Sequence, residues 1–409
     1  MLASGMARDP RAEPLTLGFM QLVDAAPLIA ALAFGFAAEQ GLELTLHREI
    51  SWANIRDRVA VGHFDAAQML APMPIAATLG LGGAATPTLA PFALGFGGNA
   101  ITLSSALIER MEAAADAGPA EQARALAKAL RGQSATFAVV HPFSGHNYEL
   151  RYWLAFAGIA PDRDVRLIVV PPSLMNEALR EGRIDGFCAG EPWNSLAVEA
   201  GLGAIVATKS ALWRQGPDKV LGLRADFAAE RPDTLRRLLR ALHMAAAFAS
   251  APGNRERLIE TLARREYLDA PADILRRALD GRIVMRPGEA ARAAPDFLEF
   301  HAHAANYPWR SHALWFASQM ARWGQIAPSP EIFAAAGAVY RPDIYRAALA
   351  DLADTPRADA KVEGALTQAT PVASRRGAMI LGPDGFFDGR RFDPDAIPAY
   401  LKGFADATA

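Results

Sequence analysis

Short runs of apolar and β-branched residues alternate along this chain with longer stretches whose apolar positions recur every three to four residues. This alternation is typical of β–α–β units, in which helices connect the strands and cover the sheet. The pattern therefore predicts an α/β protein with parallel or mixed sheets. The predicted strands cover residues 15–20, 42–50, 64–70, 97–104, 134–143, 165–170, 184–190 and 219–227.

The stretch SWANIRDRVAVGH has the pattern of a capped helix. Ser51 can accept hydrogen bonds from the N–H groups of the first turn, which have no partner within the helix. Trp52, Ile55 and Val59 then fall near one face, and Gly62 ends the helix. The pattern therefore places a tryptophan at the first turn, where backbone N–H groups point outward.

Further helices are predicted between these strands. One begins near Asp24 and ends near Gly41, one follows SGHN at residues 144–147, and one is capped by Ser173 and ended by Gly182. Beyond the last predicted strand we expect a mostly helical chain and then a loop-rich, aromatic tail.

The order of these units predicts two α/β lobes. We expect residues 14–100 and 210–409 to form lobe I and residues 101–209 to form lobe II, because the strand at 219–227 should return to the first lobe. This is the arrangement of a bilobal periplasmic-binding-protein-like fold of type II. In such architectures ligands bind in the cleft between the lobes, at the carboxyl ends of strands and the amino ends of helices.

Composition narrows the class of function. The chain has 409 residues, 51% of them hydrophobic and 21% charged, so it can bury a sizeable core. A formal net charge of −2 argues against direct nucleic-acid binding, which normally requires a basic excess. Cys188 is the single cysteine, which excludes an internal disulfide and a cysteine-based zinc site.

The N-terminal sequence favours a cytoplasmic protein. Arg8, Asp9 and Arg11 precede the first apolar run, and no apolar segment follows a basic start as in a secretory signal. No stretch approaches the roughly 18 uncharged apolar residues that span a membrane. We therefore expect neither export nor membrane insertion.

The candidate chemistry is that of an anion-binding site. The sequence contains no phosphate-binding glycine motif, no zinc-protease motif and no nucleophile elbow. Helix starts at Ser51, at Ser144 and after Gly190 can each attract an anion. Lys219 could neutralise the anion, and His146 could donate a hydrogen bond.

A small planar anion such as nitrate suits these groups, because its charge is spread over three oxygens and an aromatic ring can cover its flat face. Simpler interpretations remain open from the residues alone. Trp52 can be a core residue, His146 can belong to a helix cap, and Lys219 can be solvated.

Several segments carry a resemblance to a known family. The chain resembles the nitrate/bicarbonate-binding proteins, the NrtA and CmpA family, which supplies substrate-binding components of ABC transporters. The resembling segments are SWANIRDRVAVGHFDAAQMLAPMPIAATLGLGG, GNAITLS, RYWLAFAGI, IDGFCAGEPWN, PDKVLGLRADF and FDGRRFDPDAIPAYL.

The resemblance implies a set of ligand-binding residues. Matched motif by motif, the anion-binding positions fall at Trp52, Asn99, His146, Gly190 and Lys219, with Gln68 as a further candidate. In the bicarbonate-binding branch an acidic residue lies in the region of Lys219 and calcium assists binding. The lysine favours nitrate or nitrite, with no metal and no cofactor.

The segment HPFSGHNYELRYWLA resembles the cytoplasmic nitrate/nitrite sensors of the NasS type. The resemblance implies a sensor that holds a NasT-like antiterminator, a protein with an ANTAR RNA-binding domain, and releases it when the anion binds. Released antiterminator would allow transcription of nitrate-assimilation genes. The alternatives are the substrate-binding component of a nitrate ABC transporter and, less favoured, an enzyme on the same fold.

Overall fold

A computed structural model describes residues 12–405 of the chain. The charged N-terminal residues up to Arg11, and residues 406–409 at the end of the predicted lobe I, lie outside the described residues. Among the described helices, none is both long and apolar enough to cross a membrane.

The first part of the chain builds most of a five-stranded mixed sheet. Its elements are β1 (Glu13–Met20), α1 (Ala26–Ala33), α2 (Phe36–Glu39), β2 (Leu42–Glu49), α3 (Trp52–Ala60), β3 (Ala66–Leu70), α4 (Met73–Thr78) and β4 (Thr88–Ala93). The strand β1 runs parallel to both β2 and β3.

The middle of the chain builds a second five-stranded sheet. The elements of this part of the chain are β5 (Phe96–Gly97), which lies outside this sheet, β6 (Asn99–Ser104), α5 (Ser105–Arg110), α6 (Pro119–Ala129), β7 (Thr136–Val139), α7 (Gly145–Phe156), β8 (Arg166–Val169), α8 (Met175–Arg180), β9 (Gly186–Gly190), α9 (Trp193–Glu199), β10 (Gly203–Thr208) and α10 (Lys209–Leu212). The strand order is β10-β6-β9-β7-β8, with β7 parallel to β8 and β9 and with β6 antiparallel to β9 and β10.

The chain then returns to the first sheet. The remaining elements are β11 (Lys219–Arg224), α11 (Ala225–Glu230), α12 (Pro232–Ser250), α13 (Arg255–Leu262), α14 (Ala272–Leu279), β12 (Arg282–Ile283), β13 (Arg292–Ala293), β14 (Leu298–Glu299), α15 (Arg310–Arg322), α16 (Pro330–Val339), α17 (Pro342–Ala348), β15 (Thr370–Ser374), β16 (Gly377–Leu381) and α18 (Ile397–Ala405). The strand β11 inserts antiparallel between β3 and β4, which gives the order β2-β1-β3-β11-β4. The predicted bilobal, mixed α/β architecture is therefore confirmed.

Two helix predictions were wrong, and the strand predicted over 219–227 ends at Arg224, where α11 follows. The first helix is not continuous to Gly41, because Gly35 adopts a left-handed conformation with φ of 83° and separates α1 from α2. Ser173 does not cap a helix: it lies inside a 3-10 turn over Pro172–Leu174, and α8 begins after Leu174 without a side-chain cap. Pro171 and Pro172 fix the backbone dihedral φ and favour this turn.

Candidate functional site

The six predicted ligand residues come together where the two sheets meet, and all of them are buried. Gln68 on β3 and Lys219 at the start of β11 belong to the first sheet. Asn99 at the start of β6 and Gly190 at the end of β9 belong to the second sheet, where they pair directly with each other. The strand ends of both lobes therefore supply the site.

Trp52 both packs in the core and faces the site. The Ser51 hydroxyl accepts a hydrogen bond from the N–H of Asn54 at 3.2 Å, so α3 has the predicted cap and begins at Trp52. The tryptophan is 1% exposed and shares a core with Ile55. Lys219 Nζ lies 5.5 Å from the centroid of its ring, within the range of a cation–π interaction.

Lys219 is held by two buried carboxylates. Its ammonium donates to Asp24 Oδ2 at 3.0 Å and to Asp218 Oδ2. Gln68 donates to the other oxygen of Asp24 through Nε2 and accepts from the N–H of Met20 at 2.7 Å. Burial disfavours the charged form of Lys219, but the two carboxylates outweigh it and raise its pKa.

The two carboxyls beside Lys219 are not equivalent. Burial raises the pKa of Asp24 to about 6, although Lys219 opposes the shift. Burial also acts on Asp218, but Lys219, His146 and Lys209 outweigh it and lower the pKa of Asp218. Because both acids share one ammonium, Asp24 is the acid of this pair that protonates first as the pH falls.

His146 is a neutral histidine whose ring is free to form hydrogen bonds with a ligand. It is the second residue of α7, whose cap is Ser144: the Ser144 hydroxyl accepts from the N–H of Asn147 at 3.0 Å. Within residues 12–405, neither ring nitrogen of His146 has a hydrogen-bond partner, and Nε2 lies 3.8 Å from Asp218 Oδ2. Burial lowers the pKa of His146 to about 3, so the ring is neutral at physiological pH.

A second buried ion pair completes the site on the side of lobe II. Lys209, the first residue of α10, donates to Glu149 Oε1, and Asn99 Nδ2 donates to Glu149 Oε2 at 3.3 Å. Gly145 leaves room for this pair, because a β-carbon there would lie 3.3 Å from both Asp218 Oδ1 and Glu149 Oε1.

Gly190 allows the lobes to approach each other. A β-carbon at this position would lie 3.2 Å from Leu22 Cδ2 and 3.3 Å from Asp24 Oδ2, which is closer than ordinary contact. The end of β9 therefore lies against the segment that follows β1.

Five residues of the site had no role in the sequence-based hypothesis: Asp24, Gly145, Glu149, Lys209 and Asp218. The sequence did contain a signal for Asp24, which is the only charged residue between Leu15 and Ala38. A lone charge in an apolar stretch is expected to be buried with a partner.

The buried polar atoms indicate what the site can bind. In the described part of the chain, Trp52 Nε1, Asn99 Oδ1 and Asp218 Oδ1 also lack hydrogen-bond partners. Proteins rarely leave such atoms unpaired, so a cluster of them beside an ammonium indicates a binding site for a small polar ligand. No group of three or more His, Cys, Asp or Glu side chains able to hold a metal ion occurs among the described residues.

A separate cavity of about 710 Å³ lies on lobe II among Arg124, Arg131 and Arg163. It contains none of the six predicted ligand residues. The site described above is instead enclosed between the lobes, where its side chains contact one another.

Residues 8–263 match the NMT1-like family. The chain is 33% identical over 402 residues to the nitrate/nitrite binding protein NrtA of Synechococcus elongatus, covering 96% of this chain and 86% of that protein. It spans about half the length of other curated relatives that it matches. One of these is the bicarbonate transport ATP-binding protein CmpC of Synechocystis sp., with 40% identity over 76% of this chain and 46% of the relative.

Among solved structures, the chain is similar to the periplasmic nitrate-binding protein NrtA from Synechocystis PCC 6803. The TM-score is 0.83 and the sequence identity 28%, with 97% of this chain and 100% of that chain covered. A structure of the alkanesulfonate-binding protein SsuA from Xanthomonas axonopodis pv. citri shares the fold, with a TM-score of 0.58 at 17% identity.

Proposed function

Because the chain belongs to the NMT1-like family and is homologous to the nitrate/nitrite-binding proteins of the NrtA type, we propose that it binds nitrate or nitrite in the cleft between its two lobes. The lobes of this proposal are residues 14–100 with 210–409, and residues 101–209. The observation that supports it most directly is that two buried donors near Lys219, Trp52 Nε1 and the ring of His146, have no hydrogen-bond partner in the described part of the chain.

In this proposal each residue has one role. Lys219 neutralises the anion, and the ring of Trp52 covers its flat face. The side chains of Asn99 and His146 and the backbone N–H of Gly190 donate hydrogen bonds to the oxygens of the anion. Gln68, which donates to Asp24 in this structure, is a further donor.

Calorimetric titration with nitrate, nitrite and bicarbonate tests the choice of anion. We expect both nitrogen oxyanions to bind and bicarbonate to bind much more weakly, because Lys219 supplies the positive charge without a metal. Bicarbonate is a necessary comparison because a relative of 40% identity is named as a bicarbonate transport protein. Tight binding of bicarbonate alone would exclude the proposal.

The finer proposal is a cytoplasmic sensor that sequesters a NasT-like antiterminator and releases it when nitrate or nitrite binds. It is supported by the resemblance of HPFSGHNYELRYWLA to sensors of the NasS type, and this segment includes the start of α7 with His146. The anion can release the partner only by favouring a lobe arrangement that the partner binds less well.

A pull-down of the antiterminator with and without nitrate tests the sensor proposal. We expect nitrate to dissociate the wild-type complex, whereas a Lys219→Gln variant should keep the partner in nitrate. A complex that ignores nitrate, while calorimetry shows the anion bound, would exclude the sensor and leave the anion-binding proposal intact.

The second candidate is the substrate-binding component of a nitrate ABC transporter. The NrtA relatives favour it, since one is matched over 86% of its length and another is named as periplasmic. This candidate predicts binding to a permease and no complex with an antiterminator. The enzyme alternative has no comparable support, because the NrtA relatives are named as binding proteins.

A further inference from the structure

The buried site has more negative than positive side chains. Asp24, Glu149 and Asp218 face Lys209 and Lys219, and every one of these residues is at most 4% exposed. With His146 neutral, the five charges sum to a formal −1. A monovalent anion would bring the sum to −2 in a region closed to water, where unbalanced charge is strongly unfavourable.

The other titratable groups around Asp24 differ in how fully they are paired. Glu149 is paired with Lys209 and Asn99, and Asp218 is paired with Lys219 and lies near His146. Glu191 follows Gly190, and its Oε2 accepts from the N–H of Ser195 at 3.3 Å. Its Oε1 has no hydrogen-bond partner among the described residues, and burial raises the pKa of Glu191 to about 7, so Glu191 is the competing proton acceptor. The charged and titratable groups that surround Asp24 are Lys219 and Asp218 at the start of β11, His146 and Glu149 on α7, Lys209 on α10 and Glu191 after β9.

Among the three acids paired with Lys209 and Lys219, Asp24 has the weakest electrostatic support. It shares the ammonium of Lys219 with Asp218, and its second donor is the neutral amide of Gln68. It also occupies the donors that an incoming anion needs. A carboxylate and a nitrate are both planar oxyanions, so the two compete for Lys219 Nζ and Gln68 Nε2.

Building on the proposed function, we propose that the anion binds together with one proton, and that Asp24 takes up that proton. A solvent proton adds to one carboxylate oxygen of Asp24, and no covalent bond between heavy atoms forms or breaks. The neutral acid binds Lys219 and Gln68 more weakly than the carboxylate does. Both side chains can then donate hydrogen bonds to the anion. The formal charge of the occupied site then stays at −1.

Uptake of a proton by Asp24 determines how the affinity for nitrate depends on pH. Burial raises the pKa of Asp24 to about 6 in this structure. Well above that pH the proton must be taken from solvent, so affinity for nitrate falls about tenfold for each further pH unit. Below about pH 5 the acid is almost entirely neutral, and the affinity levels off.

Calorimetry in two cationic buffers of different ionisation enthalpy, such as Tris and bis-tris at about pH 7, measures the coupled proton directly. Anionic buffers are avoided because they can compete for the site. We expect uptake of close to one proton for each nitrate bound by the wild-type protein. Nitrate binding with the same heat in both buffers would overturn the proposal. The proposal would also be overturned if the affinity for nitrate depended on the alkali cation in the buffer and not on the pH.

The variant Asp24→Asn imitates the protonated acid. It should bind nitrate about tenfold more tightly than the wild-type protein at pH 7, with no proton uptake and a flat affinity between about pH 6 and 8. Proton uptake that persists in Asp24→Asn would assign the proton to another group and overturn the proposal. Asp162→Asn is the matched control, because Asp162 forms an exposed pair with Arg151 away from the site and should leave both quantities unchanged.

The pH series on the wild-type protein decides the question even if Asp24→Asn does not fold. Absence of nitrate binding at every pH would contradict the proposed function itself. Nitrate binding that is independent of pH and buffer would contradict only the proton coupling.

Discussion

At the residue scale, Trp52 shows that two competing interpretations of one side chain can both apply. The sequence left open whether this tryptophan is a core residue or a cover for an anion. In the structure it is 1% exposed among apolar side chains, and its ring faces the ammonium of Lys219. A substitution at this position therefore acts on stability and on binding together.

Two substitutions separate these effects. Trp52→Ala should cost about 3–5 kcal/mol of unfolding free energy and abolish nitrate binding, because it leaves a cavity and removes the ring. Trp52→Phe should retain most of the stability while weakening nitrate binding roughly tenfold, or about 1.4 kcal/mol. Urea denaturation and calorimetry give the two numbers. Wild-type affinity in Trp52→Phe would show that the outer part of the indole does not contact the anion.

Lys219→Gln should destabilise the protein and remove anion binding. It leaves Asp24 and Asp218 buried without their ammonium, which costs about 3–5 kcal/mol near neutral pH. Loss of the ammonium raises the pKa of Asp24 further, so the native variant holds a proton that the unfolded chain has lost. Its stability deficit should therefore shrink as the pH falls from about 7 to 5.

Lys361→Gln is the matched control for this experiment. Lys361, whose side chain is 11% exposed, is paired with the buried carboxylates of Glu363 and Asp384, and none of the three belongs to the proposed anion site. A comparable loss of stability is expected, with nitrate affinity close to that of the wild-type protein. If both lysine variants lose nitrate binding equally, the effect of Lys219→Gln reflects instability alone.

At the scale of secondary-structure elements, α7 couples local helix stability to the site, because its first two turns carry His146 and Glu149. Ser144→Ala removes the cap and should cost about 1 kcal/mol of stability. Fraying of the first turn should also weaken nitrate binding several-fold. Ser329→Ala removes an equivalent cap on α16, which accepts from the N–H of Ile332 at 3.2 Å, and should cost stability without affecting nitrate affinity.

The same elements show how far local pattern predicts structure. Ser51 was recognised as a cap because it directly precedes an amphipathic run. A helix start was also predicted at Ser144, but the cap there is Ser144 itself and not His146, which lies inside the first turn. The strand β4 was not predicted, since the residues around it are rich in glycine and proline, and its place beside β11 depends on residues far along the chain. Strand pairing between distant parts of the chain produces no local sequence pattern from which it could be predicted.

The predicted residues of the site lie together, but their pairing could not be predicted. The sequence offers Asp24, Glu149 and Asp218 as possible partners for two lysines, and only the approach of two lobes decides which carboxylate meets which ammonium. Lys219 and His146 were predicted from their own segments and again from the resemblance. The resemblance gave no indication that Asp24 would take both Lys219 and Gln68 as donors.

At the scale of the whole molecule, the C-terminal tail joins parts of the chain that are far apart in sequence. The ring of Phe386 stacks on Trp213 with centroids 4.9 Å apart, and Tyr152 on α7 donates to Asp388 Oδ2 at 2.8 Å. The N–H of Phe387 donates to the carbonyl of Leu212 at 2.9 Å. The tail therefore contacts both the helix that carries His146 and the segment that leads into β11.

This arrangement predicts cooperative unfolding. Differential scanning calorimetry should show one transition for the whole chain, because the tail shares its aromatic cluster with lobe II. Phe386→Ala should lower the stability by about 3–5 kcal/mol, since it opens a cavity between Trp213 and Tyr152. Two well-separated transitions in the wild-type protein would show that the tail contributes little to the cohesion of the molecule.

The complete burial of the site has a consequence for the speed of response. The predicted ligand side chains Trp52, Gln68, Asn99, His146 and Lys219 are each at most 1% exposed, so a dissolved anion reaches Lys219 only while the lobes are apart. In stopped-flow mixing the observed association rate should rise with nitrate and then level off at the rate of lobe opening. Departure of the anion waits for the same motion, so the occupied protein would report the nitrate supply averaged over the lifetime of its closed form.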